Sequence, residues 1–551
     1  VNLSLAQWNI VRYPSNMLVT SVPGAGKTRV VQAKAILETA RVAGTPRRVT
    51  CLTYTKAAAA ELSRRILPGL SEALRDSIII GTIHSFCLQE ILSPHGGRLT
   101  ELPYGRGVAT PEHPIAEVII AEILHRDPGN ADRAAFAEVA RTADGDPRAH
   151  KSLLPAQIVA YWEGLRDSGL IDFSGVLYYA ALLLQRFPDV ARAVASSFSW
   201  VLVDEYQDTA VAQVQIMELI AEAGPCRWML IGDFNQSIFG FNDISREALT
   251  SFASDRNCQA FTLTESYRCR PAVASKAMAL ITDPPIVPYY KNPDATVASS
   301  FGNVQQCTQQ FVAALNQSGI PYSSAAIIAP ARWALMEAIE ALDSIAPKVP
   351  WSAKFRFPGE TEVSAQVCAV LACAYHRKDP RHVVSALQGM SDLLEVEGWR
   401  PETIDVERTL LRCVDDILKA GIESVGLADV VEILFGRMCE SLPHQVHRSM
   451  RSIMEVATRD SILAPSPLAG WRGSALARIA CSHYSVTLST IHGSKGLEFD
   501  AVLLASFENG VIPHRNTTDM MEERREAYVA TTRPRHFLMY GFRRGYASPF
   551  C

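Results

Sequence analysis

The sequence predicts an α/β protein of two parallel-sheet domains, each interrupted by a mostly helical insertion. Three observations predict it. Short apolar runs rich in β-branched residues recur and end in polar or glycine-containing turns, helical stretches separate them, and two long helix-like intervals break the series. A strand covered on both faces reads as a continuous apolar run because neither face meets water. The helices between such strands supply the right-handed crossovers that parallel neighbours require.

The first set of strands is "MLVTSV" (17–22), "RVTCLTYT" (48–55), "SIIIGT" (77–82), "WVLVDE" (200–205) and "WMLIGD" (228–233), with "AAAAELSRRIL" (57–67) as an intervening helix. A second set follows: "AFTLTES" (260–266), "AAIIAP" (325–330), "VTLST" (486–490), "AVLLAS" (501–506) and "HFLMYGF" (536–542). The intervals at about 95–198 and 350–482 carry Pro and Gly punctuation and read as insertions, not tandem repeats. The expected division is residues 1–94 with 199–265, residues 266–350 with 483–551, and insertions at 95–198 and 351–482. A chain of 551 residues exceeds a single core, so several domains and a cleft are expected.

Composition narrows the function classes. Apolar residues at 48% and charged residues at 20% exclude a largely disordered chain. A net charge of −4 gives no whole-molecule positive field, so any nucleic acid must be held in a local groove. None of the 12 cysteines forms a C-x-x-C pair, and the closest, Cys368 and Cys373, read as buried apolar residues of a reduced protein. The start, "VNLSLAQWNI", lacks the halves of a signal peptide, and no apolar stretch is long enough to span a membrane. A cytoplasmic protein with no membrane partner is expected.

The first strand runs into "TSVPGAGKTRVV" (20–31). Gly24 and Gly26, with Ala25 between them, let the backbone turn so that its N–H groups and the next helix's N-terminus face an anion. Lys27 adds a point charge for β- and γ-phosphates and Thr28 a hydroxyl for Mg²⁺. Ser21 stands where the usual pattern has glycine, so a plain glycine-rich turn remains the alternative at this point. "VLVDEYQD" weighs against that alternative. A carboxylate at the end of a buried strand needs a counter-ion, which makes Asp204 a candidate Mg²⁺ ligand, and Glu205 beside it a candidate base for the attacking water. A helix N-cap would explain one of these acids, not the order strand, Asp, Glu after a phosphate loop.

In order along both α/β domains, these segments resemble superfamily 1 helicases of the UvrD/Rep/PcrA family. The resemblance implies two RecA-like P-loop nucleotide-binding domains, ATP and Mg²⁺ as cofactors, and single-stranded DNA or a tailed duplex as the track, moved along from 3′ to 5′. It implies that Gln7 in "LSLAQ" reads adenine, that Arg29 adjoins the nucleotide, and that Gln236 in "IGDFNQSIFGF" senses the γ-phosphate. "ESYRCR" supplies Tyr267 for the base and Arg268 for the γ-phosphate; "EERREAYVATTR" supplies a second arginine, Arg533. Both arginines are expected on the second domain, so that cleft closure completes the site. In "TLSTIHGSKGLEFD", Glu498 is implied to contact ribose, and His492 and Lys495 to lie near DNA.

"LTYTKAAAAEL" and "GTIHSF" match the segments that line the single-strand groove, placing Tyr54, Thr55 and His84 there. Phe86, Phe239 and Phe241 are further aromatic candidates, since bases stacked on rings gain about 1–3 kcal/mol each without sequence preference. For Phe86 and Phe239, core filling is an equal alternative. "WSAKFRF" (351–357), with Lys354 and Arg356, reads either as a phosphate contact or as a half-exposed strand.

Departures from the family pattern are local. Asn242, Asp243 and Ile244 replace a basic, small run after Phe241, Pro534 follows Arg533 directly, and Asp172 in "IDFSGVLYY" lacks a second acid and reads as structural. The second insertion reads as compact, and no nuclease fused after Arg533 is expected. That motivates a second expectation, a subunit whose nucleotide state regulates a separate nuclease, as in Gabija-type anti-phage systems.

Overall fold

The computed structural model describes residues 3–103, 107–111, 113–142, 145–238, 245–291, 295–345, 349, 351–353 and 485–551, with short stretches between 370 and 437. Phe239, Phe241, Asn242, Asp243, Ile244, Lys354, Arg356 and Cys368, and most of the second insertion, lie outside the described residues. The chain forms two compact units, Val1–Cys269 with Ile281–Lys291, and Arg270–Leu280 with Asn292–Cys551.

The first unit is built on six parallel strands, β1 (Met17–Ser21), β2 (Arg48–Thr53), β3 (Ile78–Thr82), β4 (Phe198–Val203), β5 (Arg227–Gly232) and β6 (Gln259–Leu263). They lie in the order β3-β2-β4-β5-β1-β6. Every residue of β4 is buried, as expected of a strand covered on both faces. The run at 260–266, named above with the second set of strands although the expected division gives residues up to 265 to the first domain, joins this first sheet as β6 with Thr262 beside Thr20. A short parallel pair, β7 (Glu265–Ser266) and β8 (Val287–Pro288), follows it.

Helix α1 (Leu5–Arg12) opens with a capping box, and α2 (Lys27–Arg41) follows β1. Lys34 on α2 is fully buried, a costly state unless its charge is matched. Its ammonium pairs with Glu38 at 2.9 Å, donates to the carbonyls of Val11 (3.1 Å) and Tyr13 (2.7 Å), and sits 3.9 Å above the Trp200 ring. One cation thereby ties the end of α1 to α2 and to the sheet.

The first insertion is helical, with Pro114–Leu124, Asn130–Ala137 and Pro155–Asp167 around Ile120, Phe136, Tyr161 and Trp162. The helices Phe173–Arg186 and Pro188–Ser197 pack into the core of the sheet. Asp172 caps the helix starting at Phe173 by accepting from Gly175 N (2.7 Å), and it also accepts from Trp162 Nε1 (2.9 Å). That is the structural role expected of it.

The second unit carries β9 (Thr296–Phe301), β10 (Ala325–Ala329), β11 (Trp351–Ala353), β12 (Val486–Thr490), β13 (Phe499–Leu504) and β14 (Pro534–Phe542). These are again six parallel strands, ordered β11-β12-β10-β13-β14-β9. Edge strand β9, "TVASSF", escapes an apolar-run reading because an edge position tolerates polar residues. In β11, Trp351 is fully buried. Both sheets and their helices make the α/β architecture of two parallel-sheet domains that the sequence predicts.

Candidate nucleotide site

Strands β4, β5 and β1 are neighbours, so the loops leaving Val203, Gly232 and Ser21 emerge side by side at the carboxyl edge of the first sheet. Ser21, in place of the expected glycine, is buried and donates its hydroxyl to Gly232 O at 3.3 Å. Gly24 and Gly26 have φ of 74° and 81°, the left-handed region that other residues enter at a cost. A side chain on Gly24 would also stand 2.4 Å from Arg268 Cβ, and one on Gly26 would stand 2.7 Å from Gln7 Nε2. Gly26 is the N-cap of α2 and offers no side chain to the first-turn N–H groups, the arrangement that accepts an anion.

Acids and a lysine meet beside this loop. Lys27 Nζ lies 3.4 Å from Glu205 Oε2. Burial alone would lower the Lys27 ammonium, but Glu205, Asp233 and Asp204 together hold it above its ordinary value. Asp204 is pushed up to about 7, by burial and then by Glu205, with Lys27 opposing. Asp233, 1% exposed, is raised by burial against the pull of Lys27 and Gln236. Three carboxylates thus share one ammonium, an excess of negative charge that a divalent cation would relieve.

Glu205 has φ 52° and ψ 41°, a left-handed conformation unusual for a residue with a side chain. Gln236 is 5% exposed, and its amide donates to Asp233 Oδ2 at 2.6 Å. Ala25 is buried, Thr28 half-buried and Arg29 exposed. Gln7 is 3% exposed and fully engaged: Oε1 accepts from Ser4 N (2.9 Å) and Nε2 donates to Ala25 O (2.8 Å). Its place against the phosphate loop is fixed by these two bonds.

Arg268, expected on the second domain, lies in the first unit. The reason is a tie to the phosphate loop: Ser266 Oγ donates to Pro23 O (2.7 Å) and accepts from Cys269 N (3.0 Å), while Tyr267 N donates to Gly24 O (3.0 Å). Tyr267 donates its hydroxyl to Glu265 at 2.6 Å, and its ring lies 4.8 Å from that of Tyr289. Gln207, Asp233, Ser266 and Tyr289 were not singled out by sequence reasoning. Gln207 and Asp233 stand inside quoted motifs, whereas Tyr289 gave no local signal.

Tyr54 and Thr55 follow β2, and His84 follows its neighbour β3, so the two expected groove segments are adjacent. Thr55 is the N-cap of α3 (Lys56–Ile66), accepting from Ala58 N at 3.1 Å. His84 is half-buried and edge-on to Phe173 at 5.5 Å, and burial pushes its imidazole down to about 4, so it is neutral at pH 7. Phe86 is a core residue, 3% exposed and packed on Phe198.

In the second unit, Arg533 is 1% exposed. It donates to Val529 O (2.8 Å), Leu497 O (3.2 Å) and Thr532 Oγ1 (3.1 Å). The helix Met520–Thr531 ends just before it, and Pro534 begins β14. Glu498 pairs with Arg535, which also reaches Asp500 at 3.4 Å. His492 lies 3.8 Å from Glu526, whose carboxyl is pushed up to about 7 by burial and by Glu523 and Glu522. Lys495 closes the turn after His492 through its backbone N–H.

Residues 3–257 match the UvrD/REP helicase N-terminal domain and residues 473–543 the UvrD-like helicase C-terminal domain. The chain is 24% identical to ATP-dependent DNA helicase UvrD1 of Mycobacterium tuberculosis, covering 96% of this chain and 80% of that protein. It is 25% identical to DNA helicase II of Salmonella typhimurium, covering 94% and 81%. Against ATP-dependent DNA helicase PcrA of Leuconostoc citreum it is 26% identical over 48% of this chain and 37% of that protein. No described helix is long and apolar enough to cross a membrane. With a phosphate loop, paired strand-end acids and both halves of the family signature in sequence, the chain belongs to the UvrD/REP helicase family.

Proposed function

We propose that the chain hydrolyses ATP and uses the cycle to move along single-stranded DNA, opening tailed duplexes, with the 3′ to 5′ polarity carried over from the family resemblance. The observation that supports this most directly is the cluster of Asp204, Glu205 and Asp233 around Lys27 at the start of α2. Thr28 and Asp204 are the residues that would hold Mg²⁺, an ion that favours hard oxygen donors and keeps water and phosphate ligands. Mg²⁺ there would neutralise charge on the phosphate oxygens.

In this reading the N–H groups of Gly24, Ala25 and Gly26 and the first turn of α2 bind the phosphates. Lys27 orients the β- and γ-phosphates, and Glu205 takes the proton of the attacking water. Gln236 donates directly to one acid of that cluster, Asp233, where it can report the γ-phosphate. Arg268, fastened beside Gly24, is assigned to the charge that spreads over the γ-phosphoryl oxygens. Gln7 and Tyr267 flank the phosphate loop and are assigned to the base. Tyr54, Thr55, His84, His492 and Lys495 are assigned to the DNA track. The nuclease-regulating alternative rests on the second insertion, most of which lies outside the described residues, and no observation favours it.

The decisive experiment is ATP hydrolysis by the full chain with and without single-stranded DNA, with Lys27→Ala beside it. Hydrolysis stimulated by DNA and abolished by Lys27→Ala is expected. Turnover that survives in a folded Lys27→Ala protein would remove the assigned site.

A further inference from the structure

We propose that Gln207 is a positioning residue that orients the Glu205 carboxylate and links it to the Asp233–Gln236 segment. This rests on the ATPase reading above and adds a part to it. Gln207 is fully buried, and both ends of its amide are used. Nε2 donates to Glu205 Oε2 at 2.5 Å and, at longer range, to Asp208 Oδ2 at 3.4 Å. Oε1 accepts from Asp233 N at 2.9 Å.

Chemistry fixes which end is which. A backbone N–H can only donate and an ionised carboxylate can only accept, so a flipped amide would set donor against donor and acceptor against acceptor. Gln207 therefore presents its NH₂ to Glu205, on the same oxygen that faces Lys27. Glu205 needs such a guide because its left-handed backbone lies outside any regular element. The approach is close: a side chain at Gly232 would stand 2.2 Å from Gln207 Oε1 and 3.1 Å from its backbone N. Gly232 thus makes room for the amide to bridge the ends of β4 and β5.

From Asp233 the connection continues through Oδ2 to Gln236 Nε2 at 2.6 Å and through Oδ1 to Asn235 N at 3.0 Å. Three hydrogen bonds in series join Gln236 to Glu205. A change of partner at Gln236 is in this way felt at the carboxylate without either side chain touching the other.

The test uses the full chain and two variants. Gln207→Met keeps bulk and removes both bonds. Gln207→Asn keeps both amide groups but is one methylene shorter, so it cannot span Glu205 Oε2 and the Asp233 N–H together. In each, ATP turnover with and without oligothymidylate and binding of a fluorescent ADP analogue are measured. The expected result is a kcat lowered about 10- to 100-fold in both variants, with KM for ATP and analogue affinity unchanged, because a misaimed base costs rate and not binding. DNA stimulation is expected to shrink in parallel. Should Gln207→Met fail to fold, Gln207→Asn carries the test.

A Gln207→Asn protein with the parent's kcat, or one whose KM rises while kcat holds, overturns the proposal while the parent's ATP hydrolysis keeps the wider reading intact. A parent chain without ATP hydrolysis overturns both.

Discussion

At the carboxyl edge of the first sheet one ammonium, Lys27, faces Asp204, Glu205 and Asp233, whereas in the second unit the guanidinium of Arg533 is matched by Val529 O, Leu497 O and Thr532 Oγ1. The first arrangement is overcharged and partly strained, with Glu205 in a left-handed conformation and two acids held above their ordinary range. In the second, three N–H donors of a buried cation join the segment before β13 to the end of the helix Met520–Thr531. An overcharged cluster gains stability from a ligand that supplies positive charge. A cation whose bonds run to buried carbonyls leaves those acceptors unmet if it turns to a ligand. The contrast is between acids gathered on one ammonium and a guanidinium held by backbone carbonyls and a hydroxyl.

The largest effect that would break this contrast is on catalysis. Glu205→Gln is expected to lower ATP turnover by about 10²- to 10⁴-fold, the range for loss of a general base, without lowering the melting temperature, since one of three mutually repelling acids is gone. Steady-state hydrolysis with parallel thermal melts checks both halves; a clearly less stable Glu205→Gln protein would show that the cluster is balanced after all. Next comes Arg533→Met, which leaves buried carbonyl acceptors unmet and is expected to destabilise the second unit by about 2–4 kcal/mol. Denaturant unfolding followed by tryptophan fluorescence reads this, and an unchanged midpoint would return Arg533 to the role of a mobile ligand.

The smallest effect sharpens the comparison within the first unit. His84, at the end of β3, is pushed down to about 4 by burial and carries no charge at neutral pH. Its folded value lies below the unfolded one, so its contribution to stability is complete above about 6.5 and is lost as the pH falls toward 4. NMR titration of the imidazole should show no protonation between pH 8 and 6, and a midpoint near 6.5 would place His84 in solvent.

Much of this was readable beforehand, for identifiable reasons. Strand β4 announces itself because parallel strands covered on both faces leave uninterrupted apolar runs, and the phosphate loop because few residues satisfy φ above +70° twice in three positions. What escaped depends on pairing. Apolar content cannot say that "AFTLTES" lies beside β1, nor reveal β9, whose serines sit at an edge. Arg268 looked like a second-domain residue because its attachment is a serine hydroxyl and a tyrosine N–H reaching back more than 240 positions to the loop at Pro23 and Gly24. Gln207 stood in a quoted motif, but a glutamine in a turn has no local sign that both ends of its amide are occupied.

The path of the chain near Cys269 has a practical consequence for anyone dividing the gene. The polypeptide leaves the first unit after Cys269, returns at Ile281 and leaves again after Lys291. A fragment cut at 269 would therefore strip β7 of β8, its partner among the described residues, and expose the stretch that carries Ser266 and Tyr267 to the phosphate loop. A cut after Lys291 keeps β7 and β8 together but takes from the second unit its helix Pro271–Leu280, whose Val273, Ala274 and Ala277 are buried, so neither point divides the chain cleanly.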